Sequence, residues 1–235
     1  MYIAETFHSI QGEGALTGTP SFFVRTSGCN LRCRWCDTPY ASWTPEGDQR
    51  TIESIVAEAA SRPAPRHVVL TGGEPLMAKE IHALAHAFKN QGYHITIETA
   101  GTLPPNGIPC DLASLSPKLS NSTPSIGSLP DSQRQRHESL RLNPPVLAKW
   151  MRQGDYQLKF VVSTESDLDE IHALLDDLQR DGVSPDPHRV FLMPEGVSAS
   201  TLESKRAWLL AICQTTGFRL CERMHILWFG NKRGT

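Results

Sequence analysis

The 235-residue sequence predicts an α/β fold built on a mostly parallel sheet. Three observations carry that prediction. Short β-rich runs alternate with amphipathic helical stripes through the central and C-terminal parts. The length suits one domain, 1–235, with a sizeable core. No internal repeat interrupts the alternation.

Taken in order, Ser21–Arg25 reads as a strand that feeds a cysteine-rich loop. Thr51 is placed to cap a helix whose inner face is Ile52, Ile55, Val56 and Ala59. His67–Thr71 is the next strand. Ile81, Leu84, Ala85 and Phe88 repeat the stripe, and Gly92 ends it. Strands follow at Tyr93–Glu98 and Leu112–Ser116. The segment Leu119–Pro145 is rich in Ser, Pro, Asn and Gln and lacks apolar periodicity until its end, so it is expected to be an irregular, exposed excursion. Strands at Leu158–Val162 and Val190–Met193 flank a helix with the stripe Leu168, Ile171, Leu174, Leu175 and Leu178, stopped at Gly182. A last helix runs through about Thr201–Thr215. All four stripes read as core faces.

Composition removes several classes of function. A net charge of −2 gives no basic field for nucleic acid. No apolar run approaches the roughly 20 residues that span a membrane. The start, Met1–Thr6, lacks the basic and apolar regions of an export signal. Six cysteines without such a signal point to a reducing cytoplasm and a metal, not to disulfides.

Three of the cysteines stand together in Cys29-Asn30-Leu31-Arg32-Cys33-Arg34-Trp35-Cys36, with no fourth nearby. Structural zinc sites and ferredoxin clusters both use four protein ligands. Three thiolates can instead hold three irons of a [4Fe–4S] cube and leave one iron open to a small molecule. Gly28 lets the backbone approach closely, and Asn30, Arg32 and Arg34 bring donors and positive charge. Two plainer readings compete: zinc completed by His8, His67 or Cys110, and buried free thiols. Cys110, Cys213 and Cys221 have no partner spacing and read as free thiols.

The second motif is Thr71-Gly72-Gly73-Glu74-Pro75, directly after an apolar strand. Ligands bind beyond the carboxyl ends of parallel strands. The glycines expose backbone groups, and Glu74 can meet an ammonium; the alternative is a plain strand-to-helix turn.

The triad followed by this motif resembles the radical S-adenosylmethionine (radical SAM) enzymes. Further segments narrow the likeness: Glu5–Gly14, Phe22–Arg25, Cys36-Asp37-Thr38, Glu98–Thr102, Leu115–Lys118, Gln157–Val162 and Arg223–Thr235. Together they resemble the 7-carboxy-7-deazaguanine synthases of 7-deazapurine (queuosine) biosynthesis, from Glu5 to Thr235, with about Leu119–Pro145 uncovered.

The resemblance implies a partial, reduced TIM-like barrel of the radical SAM type. It implies a [4Fe–4S] cluster on Cys29, Cys33 and Cys36, and Mg²⁺ at Thr38. S-adenosylmethionine would be bound by Trp35, Cys36, Asp37, Gly73, Glu74, Ser116, Pro117, Lys118, Met193 and Glu195. The substrate, 6-carboxy-5,6,7,8-tetrahydropterin, would meet Ile10, Gln11, Gly12, Glu13, Arg25, Thr71, His225 and Thr235. A 5′-deoxyadenosyl radical would take hydrogen from C6, the ring would contract with loss of ammonia, and hydrogen would return to the cofactor. A flavodoxin or ferredoxin-like protein would supply the electron, and the family forms homodimers.

The residue types suit these roles. Arg25 offers a planar fork for a carboxylate. Gln11 and Glu13 match the mixed donor and acceptor edge of a pterin, and the Thr38 hydroxyl is a hard oxygen. Read alone, Arg25 could be a surface ion pair, Gln11–Gly14 a turn, Thr38 a cap and His225 a core residue. Two other functions share the triad or the cysteines. One is an activase that takes hydrogen from a glycine of a partner protein; the other is a non-catalytic zinc module.

Overall fold

The computed structural model describes residues 1–62 and 66–235. In chain order the elements are β1 (Tyr2–Ile10), β2 (Pro20–Thr26), α1 (Pro39–Ser42), β3 (Asp48–Gln49), α2 (Ile52–Ala60), β4 (His67–Gly72) and α3 (Ile81–Asn90). There follow β5 (His94–Thr99), β6 (Leu112–Leu115), α4 (Asp131–Leu140), α5 (Pro144–Gln153), β7 (Tyr156–Val162), α6 (Asp167–Arg180), β8 (Val190–Pro194), α7 (Ala199–Thr216), β9 (Arg219–Leu220) and α8 (Met224–Phe229).

The strands form one nine-stranded sheet in the order β3-β1-β2-β4-β5-β6-β7-β8-β9. From β2 to β9 every pairing is parallel, whereas β1 runs antiparallel to β2 and to β3. The sheet stays open between β3 and β9, so it is a partial barrel, as expected.

Strand periodicity places the site. Successive side chains point to opposite faces. Phe22 and Val24, Val68 and Leu70, Leu158 and Phe160, and Val190 and Leu192 enter the main core under the helices. The alternating set Phe23, Arg25, Thr71, Lys159, Val161 and Met193 lines a cavity on the other face. The helices cover the core side with the stripes read from sequence: Ile55 and Ala59, Ile81 and Leu84, and Ile171, Leu174 and Leu178 are all essentially inaccessible. Fully burying such a side chain contributes roughly 1.5–3 kcal/mol. Thr51 caps α2 by accepting from the Ser54 N–H.

The expected strands all form, with ends moved by one or two residues. Three strands carried no readable signal. β1 is held by its antiparallel register against β2, where Phe7 stacks on Phe23 with ring centroids 4.9 Å apart. β3 and β9 have two residues each, too few to show a period.

The expected irregular excursion at 119–145 requires correction. It holds a 3-10 turn at Ser120–Ser122, all of α4 and the start of α5. α4 has no apolar stripe because its one buried residue is His137.

Candidate active site

The cavity at the carboxyl ends of the strands has a volume of 520 Å³. The three cysteines of the triad open onto it together with Gly73, Lys118 and Met193, and Gln11, Glu13, Arg25 and His225 form the facing wall.

The cysteine loop leaves β2 and is pinned early. The Gly28 N–H donates to the Ala41 carbonyl (2.8 Å), and the Gly28 carbonyl accepts from the Glu74 N–H (2.9 Å). A Cβ on Gly73 would lie 2.3 Å from the Gly28 oxygen and 2.7 Å from the Cys29 Cβ, so only glycine lets the two loops touch. Cys36 Sγ lies 3.1 Å from Ser42 Oγ, and Cys29 Sγ accepts from the Leu31 N–H at 3.4 Å. Burial pushes the Cys29 thiol up to about 11 and the Cys33 thiol up to about 12. Metal ligation would therefore have to expel these protons.

Among the described residues, no three His, Cys, Asp or Glu side chains converge on a point that would hold a single metal ion. A tetrahedral zinc with sulfur at about 2.3 Å needs its thiolates almost in contact. A cube spreads its ligands over separate irons. Three thiols around one cavity mouth, with the glycine-bared loop beside them, fit the cube better. His82 and His86 are one turn apart on α3, with no third ligand converging on them among the described residues.

The opposite wall is built on ion pairs. Glu13 follows β1; its Oε2 pairs with Lys159 Nζ from β7, and its Oε1 accepts from Arg223 Nε at 3.1 Å. Arg223, which is 5% exposed, also donates to Asp37 Oδ2 and to the Gly196 carbonyl (2.6 Å). One guanidinium thus joins the β1–β2 connection, the end of the cysteine loop and the loop after β8. Burial alone would raise the Glu13 carboxyl, but Lys159, Arg223 and His225 outweigh it and hold it well below the usual range. Asp37 is likewise held low by Arg223 against the cost of enclosure, although its side chain is 38% exposed on the cavity rim. Burial pushes His225 down despite Glu13, 3.8 Å away, so the imidazole is neutral near pH 7.

Arg25 donates through Nε to Glu5 Oε1 at 2.7 Å, and Tyr40 donates to the same oxygen at 2.7 Å. Among the described residues no hydrogen bond uses the terminal nitrogens of Arg25, which remain for a ligand. The Gln11 side chain is buried and lines the cavity, and among the described residues its amide makes no hydrogen bond. Gly12 has no room for a side chain: a Cβ would lie 2.6 Å from His225 Nδ1, because the C-terminal segment packs directly upon it. That segment is fastened by Arg233, which reaches Glu46 (2.9 Å) and Glu5 (3.3 Å) and lies 4.1 Å over the Tyr40 ring.

Most residues expected at the site line this one cavity: Ile10, Gln11, Gly12, Glu13, Arg25, Trp35, Asp37, Thr38, Thr71, Gly73, Ser116, Lys118, Met193, Glu195, His225 and Thr235 join the cysteines. Two do not. Glu74 is fully buried beneath the site, where its carboxylate accepts from Thr99 Oγ1 (2.8 Å), the Ala100 N–H (3.0 Å) and the Leu76 N–H (3.2 Å). Burial raises its carboxyl despite these donors. It is not among the residues that line the cavity. Pro117 is buried and absent from the lining. Glu195 faces the cavity with its carboxylate already tied to Lys205 at 2.8 Å. Sequence reading assigned no role to Lys159, Arg223, Glu5 or Tyr40. The signal for Lys159 was a charge inside an apolar strand; Glu5 and Arg223 stood in segments that carry the family likeness but were given no role, and Tyr40 carried no signal.

Fold and site together define a radical SAM protein, and a radical SAM superfamily model matches residues 23–116. Over 236 aligned residues the chain is 47% identical to a 7-carboxy-7-deazaguanine synthase of Rhodopirellula baltica, covering 100% of this chain and 89% of the relative. It is 42% identical to the 7-carboxy-7-deazaguanine synthase of Halobacterium salinarum, over 96% of this chain and 90% of that one. The chain belongs to the 7-carboxy-7-deazaguanine synthase family. The crystal structure of QueE from Escherichia coli superposes with a TM-score of 0.64 at 23% identity, covering 95% of this chain and 94% of that one, which establishes the shared fold.

Proposed function

We propose that the protein is a radical SAM lyase that contracts 6-carboxy-5,6,7,8-tetrahydropterin to 7-carboxy-7-deazaguanine with loss of ammonia. One observation carries the assignment to the site: the cysteine triad and the pterin-compatible groups Gln11, Glu13 and Arg25 line a single cavity. Cys29, Cys33 and Cys36 would hold the cluster, and the bare Gly72–Gly73 backbone with Ser116 and Lys118 would seat S-adenosylmethionine. Bound there, the two groups supply radical hydrogen abstraction.

The chain's own residues bind and orient. The free end of the Arg25 guanidinium suits the substrate carboxylate, because Glu5 fixes its Nε and leaves the fork aimed at the cavity. Glu13, kept ionised by Lys159 and Arg223, accepts from the donor edge of the pterin. The Gln11 amide supplies both a donor and an acceptor. Thr38, beside Cys36 on the rim, offers one hard oxygen for Mg²⁺, with substrate and water completing the shell. The C-terminal segment closes the cavity and excludes water. This reading includes a flavodoxin- or ferredoxin-like electron donor, a homodimer and a reducing cytoplasm, which suits an oxygen-sensitive cluster.

The test is anaerobic assay of reconstituted protein with the carboxypterin, S-adenosylmethionine and Mg²⁺. Brown protein with about four irons per chain and formation of the deazaguanine product are expected. Colourless protein, or S-adenosylmethionine cleavage that never yields product, refutes the proposal.

A further inference from the structure

The segment Ser120–Arg141 grips the cysteine loop from outside. The Arg32 N–H donates to His137 Nδ1 at 3.0 Å. A backbone N–H can only donate, so Nδ1 is the acceptor and the imidazole proton sits on Nε2. That Nε2–H reaches Ser122 Oγ at 3.0 Å, while the Ser122 hydroxyl donates to the Leu119 carbonyl at 2.7 Å. The Ser122 carbonyl in turn accepts from the Arg34 N–H at 2.9 Å. Asn121 Oδ1 accepts from the Trp35 indole at 3.1 Å, and its amide donates to the Val161 carbonyl (3.0 Å) and to Asp167 (2.9 Å). Leu140 packs on the patch formed by Leu31, Cys33 and Ala100.

Three of the residues between Cys29 and Cys36 are therefore held by one inserted segment, and through Asn121 that segment is anchored to β7 and α6. Ser122 and His137 are 0% and 1% exposed. Neither touches the cavity, so neither serves a ligand directly. Within the triad the loop is also closed by the Cys36 N–H on the Cys33 carbonyl (3.2 Å) and by the Arg32 guanidinium on the Cys29 and Leu31 carbonyls (2.7 Å each), while Trp43 and Thr102 hold Cys33 and Asn30 from other elements.

We propose that Ser120–Arg141 is a clamp that sets the spacing of the three cluster thiolates, with His137 as its positioning residue. The proposal rests on the cluster reading above. The imidazole is suited to the task because it is rigid, accepts on one edge and donates on the other, and so transmits the position of Ser122 to the loop backbone. Without it, the Arg32 N–H loses its protein acceptor, and the loop relaxes away from the geometry that three irons require.

The experiment compares anaerobic wild-type holoprotein with His137→Ala, His137→Asn and Ser122→Ala. Iron release to a chelator and the electron paramagnetic resonance spectrum of the reduced cluster are followed. His137→Ala is expected to release iron about tenfold faster and to broaden or shift the reduced-cluster signal. His137→Asn keeps an acceptor near the Nδ1 position and should restore most of both properties. Ser122→Ala should fall between. Wild-type release rates and an unchanged spectrum in His137→Ala overturn the clamp. If His137→Ala fails to fold, Ser122→Ala decides: a rate and spectrum equal to wild type overturn the proposal. A wild-type chain that takes up no iron overturns the cluster reading, which separates that failure from a failure of the clamp.

Discussion

Arg223→Gln should damage the protein more than any other single change on the cavity wall. The side chain is buried and joins Glu13, Asp37 and the Gly196 carbonyl. Removing one partner of a buried ion pair costs about 3–5 kcal/mol, since the other charge is left uncompensated. Two features lower that figure here. Glu13 keeps Lys159, and the Asp37 side chain is 38% exposed and can be hydrated. A loss of about 2–3 kcal/mol remains. For a chain of this size each kcal/mol moves Tm by about 2–4 °C, so Arg223→Gln should melt roughly 4–12 °C lower in an anaerobic thermal scan. Arg223→Lys keeps one charge but cannot reach three acceptors at once, and should lose about half as much. The same variants should cleave S-adenosylmethionine with fewer product molecules per cleavage, because Glu13 and the end of the cysteine loop are no longer held in register. A melting point within about 1 °C of wild type together with unchanged coupling would refute the account of the wall.

Three further outcomes follow from the site and its surroundings. Arg25→Ala should spare reductive cleavage of S-adenosylmethionine and abolish product; full turnover would remove Arg25 from carboxylate recognition. Thr38→Ala should shift the Mg²⁺ titration of activity to higher concentration by about tenfold or weaken substrate binding; an identical titration would argue against ligation. His67 is held between Ser21 (2.8 Å) and Thr96 (2.9 Å), and burial, reinforced by His94, lowers it from 6.5 to about 4. A depressed histidine contributes stability that is complete above the unfolded value and is lost as pH falls from about 6.5 towards 4. From these values the loss between pH 8 and pH 5 is about 2 kcal/mol; urea unfolding of His67→Gln should show a correspondingly flatter curve, and an equally steep one would contradict the assignment.

The parts of the fold legible in the sequence were those with a strong period. The parallel strands β2 and β4 to β8 and the helices α2, α3 and α6 bury one face against the core, so apolar spacing reveals them, whereas α7 buries only Leu202 and Leu209. β1 escaped notice because a bulge between Ile3 and Glu5 breaks its alternation: Ile3 enters the core, while Glu5 and Phe7 line the cavity. α4 escaped because its packing is polar. It docks through His137 on the Arg32 N–H, Glu138 on the Thr123 hydroxyl and its C-cap Arg141 on Glu170, and no apolar stripe is needed for that.

The same distinction explains the site. A motif fixes where a residue lies along the chain; it does not fix which way the side chain turns. Glu74 follows two glycines at a strand end, the setting in which a carboxylate is expected to face a ligand. In the fold it also begins a 3-10 turn, and its side chain bends back to the Leu76 N–H. Thr99 and Ala100 then complete its acceptor shell from β5. Three donors direct the carboxylate inward, and the glycine backbone is left lining the cavity. Lys159 shows the converse. Within an apolar strand a lysine is costly unless paired, and the sequence offers no hint that the pair is Glu13, 146 positions away. That pairing exists because β7 faces the β1–β2 connection across the open barrel, so the ionisation of a cavity-facing carboxylate depends on the fold itself.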